Sequence, residues 1–303
     1  MKADSASLRV AFQGERGAFS EEAALTLLGE SIELVPRATF EALFTSIDEG
    51  LADVILAPFE NSLMGSVHRS YDLLLGTSLV ITAEVIILIS HNLIGIPGSS
   101  FEEITSVKSH PVALAQCERF FAAHPRLKRI AAEDTAGSVA EIIRQGEGAC
   151  AAIAGRHAAE VYGGVILREH LEDHPENYTR FAVLSRESNT PPEANKLSLV
   201  IKLKHRPGAL HYALVPFARR GINLLKIESR PVHGSPWEYH FYLDLQASTA
   251  DPKVAAALTE LRQHATEVRL LGCYPSAQAN CNEPNAENHQ EVLRNDYQHV
   301  SSS

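Results

Sequence analysis

Short apolar runs alternate with stretches of helical periodicity over the first two-thirds of the chain. Residues 8–12 (Leu-Arg-Val-Ala-Phe) read as a strand, and Ser20 then opens a helix whose Glu21 and Glu22 suit the positive end of the helix dipole. Phe40, Leu43, Phe44 and Ile47 recur at i, i+3, i+4 and i+7, the spacing of a helix with one buried face. Residues 53–57 read as a strand, as does the apolar run 85–89, bounded by Glu84 and His91. Pro111 opens a helix with Leu114, Cys117, Phe120 and Phe121 on its apolar side. Strands at 129–132, 150–153 and 165–167 alternate with helices near 138–144 and 156–161, and 179–185 is one more strand. This alternation predicts an α/β fold with a largely parallel sheet covered by helices.

The pattern breaks at residues 187–195, a polar, Pro-rich linker. A strand (197–203), a helix (209–219), two strands (224–232 and 239–245) across a turn at His233-Gly-Ser-Pro, a helix (253–264) and a strand (268–273) follow. The order βαββαβ predicts a ferredoxin-like plait over 196–274. The tail 275–303, rich in Asn, Gln, Glu and Ser, is predicted to be disordered.

Composition narrows the function classes. With 303 residues and 45% hydrophobic content, the chain suits about two domains. A net charge of −10 argues against a nucleic-acid partner and requires any anionic substrate to be held by local donors or helix N-termini. Cys117, Cys150, Cys273 and Cys281 form no CxxC pair and read as reduced, buried thiols. The first strand begins at Leu8, leaving no room for a leader, and no apolar run is long enough for a membrane span; the expected location is cytoplasmic.

Several polar loops fall where an α/β sheet binds ligands, at the carboxyl ends of strands. Gly14-Glu-Arg-Gly-Ala-Phe-Ser20 follows the first strand but lacks phosphate-loop spacing; taken alone, a strand–turn–helix is the better reading. Glu60, Asn61 and Ser62 crowd one turn, Ser109 stands at a helix entry with Gln116 nearly two turns further on, and Thr135 follows Asp134; each reads equally as a helix cap. His170 and His174 are four apart, but Glu172 is misplaced for a zinc helix and a solvated loop is the better reading. No GxSxG elbow or activated cysteine supports covalent catalysis.

Together these segments carry more. Gly-Ala-Phe-Ser-Glu-Glu-Ala-Ala from Gly17, Pro-Phe-Glu-Asn-Ser from Pro58, Ser-His-Pro-Val-Ala-Leu-Ala-Gln-Cys from Ser109 and Asn-Tyr-Thr-Arg-Phe from Asn177 resemble the prephenate and arogenate dehydratases. Arg206-Pro-Gly-Ala-Leu and Lys226-Ile-Glu-Ser-Arg-Pro resemble that family's phenylalanine-binding ACT domain. The resemblance implies a catalytic part over 8–186 with two lobes like a type II periplasmic binding protein, about 8–85 plus 175–186 and 86–174, the strand at Thr179 returning to the first. It implies loss of water and CO2 from prephenate to give phenylpyruvate, with arogenate as the alternative substrate and no cofactor or metal.

By the same resemblance Thr179 is the essential hydroxyl, Asn61, Ser109 and Gln116 bind or orient substrate, and Glu60 and Ser62 shape the pocket. Ser20 and Thr135 are candidate carboxylate donors; Phe181 packs the pocket. Arg180 is a candidate carboxylate partner, but its place beside Thr179 on a strand sends it to the other face, where a structural salt bridge is at least as good a reading. Gly208, Ala209, Leu210, Asn223, Glu228, Ser229 and Arg230 match the effector site, which lies between two ACT domains and implies a homodimer or homotetramer. Ala18 and Val112 depart from the common bacterial pattern, Gly137, Ser138 and the segment 66–75 look closer to the arogenate type, and Leu225 stands where Thr is common. The rival of another class is a non-catalytic amino-acid-binding regulator.

Overall fold

The computed structural model describes residues 7–187, 190–232 and 237–277. The predicted turn at 233–236, the chain end from 278, Cys281 and two linker positions lie outside the described residues. The chain runs β1 (Leu8–Gln13), α1 (Phe19–Leu28), β2 (Ile32–Arg37), α2 (Phe40–Thr45), β3 (Val54–Asn61), β4 (Gly65–Ser66), α3 (His68–Leu75) and β5 (Val80–Leu88). It continues through β6 (Asn92–Gly95), β7 (Ser106–Ser109), α4 (Pro111–Ala115), α5 (Glu118–Ala123), β8 (Lys128–Ala131), α6 (Thr135–Gln145), β9 (Cys150–Ala154), α7 (Arg156–Tyr162) and β10 (Val165–Arg168). Then come β11 (Tyr178–Ser185), β12 (Lys196–Leu203), α8 (Ala209–Ala218), β13 (Asn223–Pro231), β14 (Tyr239–Gln246), α9 (Pro252–His264) and β15 (Ala265–Tyr274).

Two sheets make the part of the chain before the linker. The first has the order β2-β1-β3-β11-β5, with β4 against β3; the second has the order β10-β6-β9-β7-β8. Both are mixed rather than largely parallel. The chain leaves the first sheet on β5 and returns on β11, which must run antiparallel to both β3 and β5 to close the circuit. In the second sheet β6 runs antiparallel to β9 and β10 for the same topological reason. The helix expected from Pro111 is two short helices, α4 and α5, broken at Gln116 and Cys117. Gln116 therefore caps α4 instead of lying within a longer helix.

The lobes touch where the β1–α1 loop meets α7. Gly17 has φ +79°, and a Cβ there would sit 2.8 Å from the Ala158 Cα. Glu21, fully buried, accepts from the Gly17 N–H (2.8 Å) and the Arg16 guanidinium, and lies 3.3 Å from the His157 ring of the second lobe. Gly17→Ala combines a strained φ with a backbone clash, and is expected to destabilise the fold on the order of 2 kcal/mol, read by urea denaturation.

The third sheet, β13-β14-β12-β15, is antiparallel throughout. Helices α8 and α9 cover one face, where Leu199, Phe217, Leu243, Val254 and Leu261 pack together. The other face does not meet solvent. Val200, Tyr242, Leu271 and Tyr274 enter the same core as Phe59, Tyr71, Leu74 and Ile81 of the first lobe. Gly272 lets β15 lie against β5, since a Cβ at that position would collide with the Ile81 carbonyl. The Arg269 guanidinium donates to the carbonyls of Leu75 (2.8 Å) and Thr77 (2.6 Å), satisfying acceptors left open at the end of α3.

Candidate active site

A cleft of about 430 Å³ opens between the lobes, a size suited to a small ligand. Ser20, Asn61, Gln116, Thr135, Thr179 and Phe181 all line it, so six of the ten catalytic and substrate-binding candidates converge. The register of β3 and β11 places Thr179 opposite Asn61. The Asn61 carbonyl oxygen accepts from the backbone N–H groups of Leu63 (3.0 Å) and Met64 (2.9 Å). That fixes which end of the amide is which. Its NH2 then donates to Asn177 Oδ1 (2.7 Å), the Tyr178 carbonyl (3.1 Å) and Thr179 Oγ1 (2.9 Å). Because Thr179 Oγ1 accepts from Asn61, its own proton is left for a ligand in the cleft.

The same logic reaches the second lobe. With its oxygen accepting from Asn61, Asn177 donates through its NH2 to Gln116 Oε1 (3.2 Å). The His91 Nε2 lies 2.8 Å from the same oxygen. Gln116 thus has its carbonyl held, and its NH2 is the end available to a ligand. Ser20, the second residue of α1, donates to the Gln13 carbonyl, and Thr135 is the first residue of α6, capped by Asp134.

Four candidates lie elsewhere. Glu60 and Arg180 are strand neighbours of Asn61 and Thr179, and alternation turns both away from the cleft. Arg180 is buried and bonded to Glu84 (3.0 Å) and the Tyr71 hydroxyl (3.0 Å), with Asp244 and Glu60 each at 3.4 Å. Burial opposes its charge, but Asp244 and the surrounding acidic groups outweigh that and hold its pKa well above the ordinary value. Glu60 pairs with Lys226 at 2.9 Å. Ser109 ends β7 rather than entering a helix; its buried hydroxyl donates to the Ile153 carbonyl (2.6 Å), and His110 caps α4. Ser62 donates to the Glu176 carbonyl (2.7 Å) and accepts from the Tyr178 N–H (2.9 Å), pinning the entry to β11.

His91 and Asn177 carry little signal of their own in the sequence. Asn177 sits inside the Asn-Tyr-Thr-Arg-Phe segment, and His91 marks the polar end of the 85–89 apolar run. Cys117, Cys150 and Cys273 are buried free thiols, and burial pushes Cys117 up to about 12. No helix among the described residues is long and apolar enough to cross a membrane.

On the third sheet, Gly208, Ala209 and Leu210 line a pocket of about 230 Å³ with Tyr239 and Phe241. Asn223, Glu228, Ser229 and Arg230 do not line it. Alternation along β13 turns Glu228 and Arg230 onto the first lobe, where Glu228 meets Ser66 and His68 and Arg230 meets Asp72 (2.9 Å). They are half-buried, neither solvent-facing edge charges nor part of that pocket within one chain.

An α/β part on two sheets, with hydroxyl and amide groups converging on a cleft that Glu133 and Asp134 also line, followed by a ferredoxin-like plait, defines a class of two-domain enzyme. A family model for prephenate dehydratase matches residues 10–189, and one for the ACT domain matches 197–263. The chain is 41% identical over 288 residues to arogenate dehydratase/prephenate dehydratase 1 of Arabidopsis thaliana, covering 90% of this chain and 73% of that protein. The prephenate dehydratase of Arthrobacter aurescens, solved with L-Phe, superposes with TM-score 0.81 at 30% identity, covering 96% and 98%. GqqA, described as a novel type of quorum quenching acylase, superposes with TM-score 0.81 at 32% identity, covering 88% and 98%. The chain belongs to the prephenate dehydratase family. It is a lyase of phenylalanine biosynthesis, and its activity is regulated through the ACT domain.

Proposed function

We propose that the cleft takes prephenate and that Thr179 is the group that protonates its departing hydroxyl. The carrying observation is the Asn61 amide, which occupies the Thr179 oxygen at 2.9 Å and leaves the O–H to donate. As the ring C–O bond breaks, the bond to the ring carboxylate breaks with it, and its electron pair completes the aromatic ring. One proton is taken up; water, CO2 and phenylpyruvate leave. A threonine hydroxyl is a weak acid, and donation from Asn61 to its oxygen strengthens it as a donor. The proton is then replaced from water. Gln116 orients the substrate from the second lobe, Ser20 and Thr135 at the starts of α1 and α6 receive the pyruvyl carboxylate, and Phe181 packs the ring. No step calls on a cofactor.

A second substrate has an observation of its own. Glu133 and Asp134 also line the cleft, and their charges suit the ammonium that arogenate carries in place of the prephenate keto group. Acyl transfer is not favoured: the Ser20 hydroxyl is bonded to a carbonyl and Thr179 to an amide, neither to a base.

The effector reading places phenylalanine at Gly208–Leu210, with Asn223 and Ser229 contributed by a second copy, in a cytoplasmic homodimer or homotetramer. Exposed Leu225 and Ile227 on the β13 edge support pairing with another chain.

The test is a paired assay on prephenate and arogenate, with and without phenylalanine. Prephenate turnover to phenylpyruvate, suppressed by phenylalanine, is the expected result. Preferred turnover of arogenate moves the substrate assignment, and turnover of neither overturns the substrate reading of the cleft.

A further inference from the structure

We propose that His91 is a positioning residue for the reaction: its Nε2–H holds Gln116 so that the Gln116 NH2 faces the substrate. The inference rests on Gln116 acting on substrate, as proposed above. His91 sits between β5 and β6, where the chain crosses from one lobe to the other, and is 2% exposed.

The tautomer follows from an unbroken line of donors. The backbone N–H groups of Leu63 and Met64 orient Asn61, Asn61 orients Asn177, and Asn177 donates to Gln116 Oε1. Gln116 Oε1 is therefore an acceptor, and the His91 Nε2 at 2.8 Å must carry the proton. Burial lowers the His91 pKa, against an upward pull from the Gln116 hydrogen bond and Glu172, which keeps the ring neutral. The ring stands edge-on to Phe19, with centroids 5.8 Å apart, and the His91 backbone N–H donates to Glu172 at 2.8 Å. The first restrains the imidazole and the second the backbone that carries it.

Nδ1 is buried and has no partner among the described residues. Native interiors seldom leave such an acceptor open. A residue kept for packing alone would have no reason to carry it, whereas a rigid donor aimed at Gln116 does. Without Nε2–H, the Gln116 carbonyl keeps only the longer Asn177 contact at 3.2 Å. The amide can then rotate and present its oxygen, an acceptor, where the anionic substrate needs a donor.

The experiment compares His91→Met and His91→Gln, which have similar length and volume but differ in an N–H donor. His91→Met is expected to lower kcat/KM by roughly tenfold, and His91→Gln to recover to within about threefold of wild type. In a Gln116→Met background, His91→Met is expected to change kcat/KM by less than about twofold. Thermal midpoints accompany every variant. Equal losses in His91→Met and His91→Gln, or an undiminished His91→Met effect in the Gln116→Met background, would overturn the proposal. The ring nitrogens of 15N-labelled wild type give a readout independent of turnover. Nε2–H with an unprotonated Nδ1 at neutral pH is expected, and the opposite tautomer or an imidazolium overturns the assignment. If wild type turns over neither substrate, the functional reading has failed, while the nitrogen spectrum still judges the His91–Gln116 bond.

Discussion

Thr179→Ala is expected to lower kcat on prephenate by about 10²- to 10³-fold, the range of a lost proton donor. KM should stay within about threefold, because Ser20, Thr135 and Gln116 still hold the substrate. The fold should survive. Thr179 accepts one hydrogen bond from Asn61, whose amide keeps Asn177 and Tyr178 as partners, so no buried group is stranded. Thr179→Ser keeps the O–H but frees the χ1 torsion that the β-branched methyl restrains, and is expected to retain about a tenth of wild-type kcat. Steady-state kinetics with a thermal melt of each variant checks both. A Thr179→Ala enzyme with full turnover would move the proton donor to another group.

Glu84→Ala is expected to be the most damaging substitution away from the cleft. Glu84 is buried on β5 and accepts from Arg180 (3.0 Å) and from the Lys196 ammonium at 2.9 and 3.0 Å. Both cations are themselves buried. Asp244, the other carboxylate they share, stands further off, 3.4 Å from Arg180 and 3.6 Å from Lys196. Removing Glu84 leaves Lys196 with Asp244 alone and Arg180 with only the longer contacts to Asp244 and Glu60, a loss of about 3–5 kcal/mol. For a chain of this size that lowers the thermal midpoint on the order of 10 °C. Pairing the change with Lys196→Met removes one stranded charge, and the double variant should melt above the single one. Kinetics should suffer as well. Arg180 and Glu60 neighbour Thr179 and Asn61 on their strands, so a shift in the ion cluster displaces the backbone that carries both cleft residues. A double variant no more stable than Glu84→Ala would show that Lys196 is not held by Glu84 in solution.

Local patterns served well where the cause was local. The i, i+3, i+4, i+7 spacing at Phe40 marks α2, and the apolar run ending at Ile89 marks β5. Alternation also told against Arg180 as a cleft residue, since Thr179 and Arg180 cannot share a face. The same rule applied to Glu60 beside Asn61 would have removed it from the cleft list. What hid it was the partner: Lys226 lies 166 positions along the chain, and nothing near Glu60 announces it. Ser109 misled because Ser-His-Pro reads as a helix cap, while the hydroxyl answers a carbonyl on a neighbouring strand, 44 residues away. The break after α4 was equally invisible, because Cys117, Phe120 and Phe121 keep helical spacing across it. The direction of β11 depended on the chain returning from a second lobe, a property of the circuit and not of any window of residues.

The glycine at 272 bears on how far the regulatory part can be treated as an interchangeable module. Its missing side chain lets β15 lie flush on β5, and Val200, Tyr242, Leu271 and Tyr274 then complete a core that belongs to the catalytic lobe. Cutting the chain in the linker would free neither half, because each would expose apolar surface and, at Glu84, Arg180, Lys196 and Asp244, half of an ion cluster. Transplanting this sensor onto another enzyme would therefore require the recipient to supply a Tyr71, a Glu84 and an Ile81 carbonyl in register. Two domains by sequence are therefore expected to melt as one cooperative unit, and either could be exchanged only together with the face on which they meet.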